Sequence, residues 1–184
     1  MDRSHAVEVL VISGGMGSGK TSLLIEASDL LTAAGIPHAA IDFDMLAFGH
    51  WPDRVTDLSD RNLAAVWSNY AAAGIDRLLI SEAIDTADTL SGLRAAIPGA
   101  TFVVCRLHAS LETMRERVRQ REPGIMQQHL VERVSELMAA LDAAQLEDFS
   151  VVNEGRSITE VAREVLQRAG WIATGRGRSG GSGG

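Results

Sequence analysis

Gly14, Gly19, Lys20 and Thr21 stand at the spacing G-x-x-x-x-G-K-[ST] within VISGGMGSGKTSLL, residues 11–24. Four of the six residues from Gly14 to Gly19 are glycine, although glycine inside a helix or strand costs roughly 0.5–1 kcal/mol relative to alanine. Such a cluster needs a local reason, and a bound polyphosphate supplies one. Backbone wrapped through Gly14, Gly15, Met16, Gly17, Ser18 and Gly19 turns successive N–H groups inward as an anion nest. A helix starting just beyond adds its unpaired N–H groups and positive dipole end. Lys20 then reaches the β- and γ-phosphates, Thr21 offers its hydroxyl to Mg²⁺, and Ser22 completes the phosphate-binding segment. The expected ligands are ATP and Mg²⁺.

A second set of residues supplies what phosphate binding alone lacks. The stretch AIDFD ends a predicted strand with Asp42 and Asp44 two residues apart, so an extended chain puts both carboxylates on one side. The carboxyl edge of an open α/β sheet is where ligands bind. There Asp42 would hold the Mg²⁺ shell with Thr21, and Asp44 would take the proton of an attacking hydroxyl. RERVRQRE, 115–122, carries four arginines near a helix end. On one reading they form a solvated face, with Glu112, Glu116 and Glu122 offering ion pairs. Arg61 and Asn62 open a helix after the acceptor loop and are assigned to the acceptor, with His50 and Trp51 as further cleft-facing candidates. Arg106 interrupts an apolar strand and needs a partner, either a carboxylate or the phosphates. Cys105, the single cysteine, reads as an inert core thiol.

These residues need a scaffold that brings them to one edge. The apolar run at 7–13 reads as a buried parallel strand, and Leu23, Leu24, Ala27, Leu30 and Leu31 recur at helical spacing until Gly35 and Pro37 stop them. Further strands are expected at 38–42, 77–81, 101–107 and 149–152. Between them lie helices opened by Ser59 or Asp60, over 86–97, from Ser110 to before Pro123, over 126–144 and over 157–169. Residues 44–58 read as an irregular loop. This alternation gives an α/β fold, a five-stranded parallel sheet with helices on both faces. One domain spans 1–174, and the Gly/Ser/Arg-rich tail 175–184 reads as disordered.

Composition narrows the function classes. The 184-residue chain has a formal net charge of −7, which argues against nucleic acid held by phosphate neutralisation. No apolar run reaches the ~18 residues of a membrane span, and the polar start MDRSHAVE lacks a signal peptide's apolar segment. A cytoplasmic protein acting on a small molecule is expected. The oligomeric state is left open, a homodimer included.

The chain resembles the P-loop small-molecule kinases, most closely adenylylsulfate kinase. GGMGSGKTSLL matches its phosphate loop, and AIDFD is similar to its aspartate-glycine-aspartate turn. DRNLAAVWSNYAAAG is similar to its Asp-Arg-x-x-Asn helix with shortened spacing, and QREPG to the Arg-Asp-Pro of its lid. Shikimate and gluconate kinases share the plan. The resemblance implies strand order 2-3-1-4-5 and a mobile lid over ATP. It also implies the other reading of RERVRQRE, as lid arginines over the transferring phosphate, with Arg117 and Arg121 the candidates and Arg119 close behind. Phe43 replaces the small residue of the aspartate turn, Met45 to Phe48 lack the Asn and Arg that follow it, and SEAIDTAD stands where a Ser-Pro segment is expected. Those are substrate contacts in the sulfate-activating enzymes, so the resemblance implies another acceptor, a hydroxyl of a small metabolite or nucleoside-like molecule. Two alternatives stay open: a nucleotide switch that hydrolyses ATP through Glu82 with a protein partner, and a binding module whose aspartates merely cap a loop.

Overall fold

A computed structural model describes residues 6–50, 52, 57–121, 124 and 126–174. The tail 175–184, Trp51, and Glu122 and Pro123 of the QREPG segment lie outside them. Strand β1 (Glu8–Gly14) runs into the glycine loop and then helix α1 (Lys20–Ala33). Next come β2 (Ala39–Asp42), a 3-10 helix (Phe43–Ala47), α2 (Leu58–Ala72), β3 (Arg77–Ser81) and α3 (Ala87–Ala96). The second half adds β4 (Thr101–His108), α4 (Leu111–Arg121), α5 (Gln127–Ala144), β5 (Phe149–Val152) and α6 (Ile158–Arg168). All strand pairs are parallel, and the order is β2-β3-β1-β4-β5, as the resemblance implies.

The central strand β1 explains why its sequence reads as a continuous apolar run. Leu10 and Ile12 pack with Leu23, Leu31, Val161 and Val165 from α1 and α6. Val9 and Val11 face the other way, toward Leu63 and Trp67 of α2 and Leu90 and Leu93 of α3. A strand covered on both faces has no solvent side on which to place polar residues. Cys105 belongs to the first layer, and burial pushes its thiol up to about 12, so it stays protonated as the sequence reading expects. A smaller cluster of Met114, Val118, Val131 and Val134 joins α4 to α5, with Met16 of the glycine loop packed on it. The helix starts at α3 and α6 carry side-chain caps. Thr86 accepts from the Thr89 N–H, and Ser157 and Glu160 form a reciprocal capping box.

Two local expectations are corrected. Strand β2 does not continue through Asp44: its last register partner is Ser81, where β3 itself ends, so the chain has nothing further to pair with and turns into the 3-10 helix. Helix α2 begins at Leu58, so Ser59 and Asp60 lie inside it rather than capping it. Asp60 instead sits against α3, where a Cβ on Gly92 would come within 2.8 Å of its Oδ2.

Arg106 is resolved in favour of carboxylates. Its side chain is 3% exposed, and it donates to Asp142 Oδ1 at 2.6 Å and pairs with Glu147 at 3.5 Å. Removing both acids would strand a buried cation, an event that costs about 3–5 kcal/mol, whereas an apolar side chain of similar volume is often neutral. Urea unfolding is therefore expected to rank Asp142→Ala/Glu147→Ala as clearly more destabilised than Arg106→Met.

Candidate functional site

The glycine loop leaves β1 at the carboxyl edge of the sheet and closes over the start of α1. Gly17 and Gly19 have φ of 77° and 101°, values that favour glycine. Space demands the same residue twice over. A Cβ on Gly17 would strike the Met114 carbonyl of α4, and one on Gly19 would strike the Asn153 side-chain amide. The loop is thus wedged between the start of α1, helix α4 and the chain just after β5.

A cavity of about 340 Å³ lies over this loop, lined by Gly15, Met16, Gly17, Gly19, Lys20, Thr21 and Ser22 together with Asp44, Arg117 and Arg121. Of the residues expected to bind phosphate, Gly14 and Ser18 do not line it. The Gly14 carbonyl accepts from Lys20 Nζ at 3.0 Å, and Ser18 is fully buried within the loop. Lys20 also approaches the Gly15 carbonyl at 3.4 Å. Thr21 Oγ1 donates to Asp42 Oδ2 at 2.9 Å, joining the two proposed metal-holding groups. Asp44 reaches the cavity from the first turn of the 3-10 helix, not from a strand.

Electrostatics ties these groups together. Burial lowers the pKa of Lys20, opposed by the charges of Asp44, Glu82 and Asp42. Glu82, just past β3, is pushed up to about 8 by burial and by the Asp44 carboxylate, with Lys20 pulling it down. At neutral pH Glu82 is therefore mostly protonated. Its segment is pinned by Ser13, whose Oγ accepts from the Ile84 N–H at 2.9 Å.

The arginines divide their work. Arg117 Nη1 donates to the Gly17 carbonyl at 3.2 Å and Nη2 to the Asn153 carbonyl at 3.0 Å, so this side chain braces the loop from α4. Arg121, one turn further along α4, lines the cavity. Arg119 points elsewhere, toward Glu116 at 3.5 Å. Arg61 is not brought to the cavity; it is exposed and pairs with Asp57 at 4.0 Å. Asn62 does not line the cavity either, but Nδ2 donates to the Leu46 carbonyl at 2.6 Å and so holds the 3-10 helix that carries Asp44. His50 is exposed and absent from the cavity wall. Asn153 and Glu154 escaped the sequence reading; the available signal was a polar pair ending an apolar strand at the ligand-binding edge.

Among the described residues, no three or more His, Cys, Asp or Glu side chains converge as a metal cage. Mg²⁺ at phosphoryl-transfer sites takes one or two carboxylates, phosphates and water rather than a full protein cage. The hydrogen-bonded Thr21 and Asp42 oxygens fit that donor set.

No family model and no curated protein matches the chain. Solved structures do match. A gluconokinase from Sinorhizobium meliloti is 23% identical over 89% of this chain and 91% of its own, with a TM-score of 0.55. The Mycobacterium tuberculosis APS kinase, solved with AMPPNP and APS, is 21% identical over 88% and 96%, at 0.56. A tunicamycin resistance protein from Deinococcus radiodurans is 18% identical over 90% and 97%, at 0.65. The chain shares its fold with these solved structures, two of which are kinases. The sheet order of that fold places β1 and β3 side by side, which is what brings Glu82 beside the glycine loop. No helix among the described residues is long and apolar enough to cross a membrane.

Proposed function

We propose that this chain is an ATP-dependent phosphotransferase that moves the γ-phosphoryl group to a hydroxyl of a small metabolite or nucleoside-like acceptor. The observation that carries this reading is the position of Asp44. A carboxylate from a separate element faces the same cavity as the phosphate loop and Arg121. A triphosphate lying over the loop would meet Lys20 and the loop amides. The first cavity shares Gly19, Ser22 and Arg117 with a second of about 320 Å³, bounded by Asn153, Arg156 and Ile158, which is roomy enough for the nucleoside end. The γ-phosphoryl group would then lie toward Asp44. The acceptor oxygen bonds to the γ-phosphorus as the bridging P–O bond to the β-phosphate breaks, and the hydroxyl proton passes to Asp44. Arg121 offsets charge gathering on the transferred oxygens. Mg²⁺, held through Thr21 and Asp42, would supply charge neutralisation on the phosphate oxygens.

The experiment is a screen of a small-metabolite pool for ATP-dependent mass gain of one phosphoryl group. An acceptor labelled by the wild type and not by Asp44→Asn supports the reading. Steady ADP release with no labelled acceptor would favour hydrolysis instead.

Glu82 bears on that rival. A carboxyl protonated at neutral pH must release that proton before it can act as a base for water. The raised pKa also has a stability signature. The folded state holds a proton that the unfolded state releases near the ordinary 4.5, so the fold loses stability as pH climbs from there to about 8. Glu82→Gln cannot ionise. It is expected to flatten the fall in melting temperature across that window and to melt higher than wild type at pH 8, measured by thermal scans at matched ionic strength.

A further inference from the structure

The Ser18–Gly19 peptide unit is gripped from outside the loop. Its carbonyl accepts from Asn153 Nδ2 at 2.7 Å and lies 3.4 Å from Arg117 Nη1. The peptide is trans, so the carbonyl and the Gly19 N–H at its other end point in opposite directions. Holding the carbonyl out toward Asn153 turns that N–H toward the cavity side, which Gly19 lines. Nothing in the loop itself would keep it there. Glycine populates both signs of φ about equally, and a flip of this one plane would aim a carbonyl oxygen at the phosphates.

Asn153 is built to resist that flip. It directly follows β5 and is 5% exposed. Its own N–H donates to the His108 carbonyl at the end of β4 at 2.8 Å, and its carbonyl accepts from Arg117. The next residue fastens the corner to α4: the Glu154 carboxylate accepts from the Ser110 N–H at 2.9 Å, from Ser110 Oγ at 2.8 Å and from the Thr113 hydroxyl.

We propose that Asn153 is a positioning residue for the triphosphate: its side-chain amide holds the Ser18 carbonyl outward and so keeps the Gly19 N–H presented to the phosphates. The proposal rests on the reading of the glycine loop as a phosphate cradle, and not on phosphotransfer.

Inorganic tripolyphosphate is the probe, because it has neither base nor acceptor chemistry. Calorimetric titration of the full chain is expected to show Asn153→Ala binding tripolyphosphate and ATP each about tenfold more weakly, the scale of one lost hydrogen bond to a buried acceptor. Asn153→Asp guards against a trivial folding effect. As a carboxylate it has no donor for the Ser18 carbonyl; once protonated, its O–H does. Its affinity relative to wild type is therefore expected to recover as pH falls through the carboxyl range, while the alanine variant shows no recovery. A loss confined to ATP would assign Asn153 to the nucleoside and overturn the proposal. Equal weakening of both variants at every pH would reduce the residue to packing and overturn it too. If wild type binds tripolyphosphate yet labels no acceptor, phosphotransfer fails and this inference stands on its own result.

Discussion

Asp44→Asn is expected to lower turnover by about 10²–10⁴-fold, the span attributed to a positioned general base, while ATP affinity changes little. In the proposed reaction Asp42 and Asp44 have separate jobs. Asp42 accepts a hydrogen bond from Thr21 and would lie on the metal side of the site. Asp44 lies on the 3-10 helix and faces the cavity. Asparagine keeps the shape and the polar end but cannot take a proton. It also removes a negative charge that now raises Glu82 and supports the ammonium of Lys20. Glu82 should therefore ionise at lower pH in the variant, and nucleotide binding should, if anything, tighten as repulsion toward the phosphates falls. Single-turnover measurements with saturating ATP separate the two effects. Weakened ATP binding with turnover intact would move Asp44 from the acceptor to the metal and remove the main support for phosphotransfer.

How far the site is legible in the sequence depends on whether a contact is local or crosses the chain. The glycine loop is local: its spacing, the strand before it and the helix after it all sit within residues 8–33. The order of the sheet follows from the resemblance alone, and the apolar runs indicate only that the strands need cover on both faces. Asp44 was found for a partly mistaken reason, because period-two geometry assumed a strand that in fact ends with β3 at Ser81. The 3-10 turn still delivers the carboxylate to the cavity, on a different support from the one expected. Arg61 and Asn62 show the opposite outcome. Helix phase decides where each points, and a start at Leu58 leaves Arg61 on the surface while Asn62 reaches back to Leu46. A polar pair ending an apolar strand marks Asn153, but its pairing with Ser18 is not legible, since most of the chain separates the two and neither residue type advertises it.

Lys20→Met is expected to weaken ATP binding by about a hundredfold or more while leaving the fold intact. Two charge-assisted hydrogen bonds to phosphate, each worth about 1.5 kcal/mol or more, set that scale. The fold should survive because burying this ammonium is itself unfavourable. Desolvation is the leading influence on its pKa, and the charges of Asp44, Glu82 and Asp42 only partly offset it. Methionine fills similar volume without the charge. Removing the cation also leaves the Asp42 and Asp44 charges without the ammonium that offsets them, so they oppose phosphate more strongly. Lys20 is the only lysine in the chain, which gives the test a second readout. An amine-selective reagent marks this side chain and the N-terminus alone. Because desolvation lowers its pKa, Lys20 should react at lower pH than an ordinary lysine. ATP and tripolyphosphate should both protect it if the ammonium lies against the phosphates. Labelling that neither ligand slows would place Lys20 off the phosphate path, and the phosphate cradle would then lose its cation.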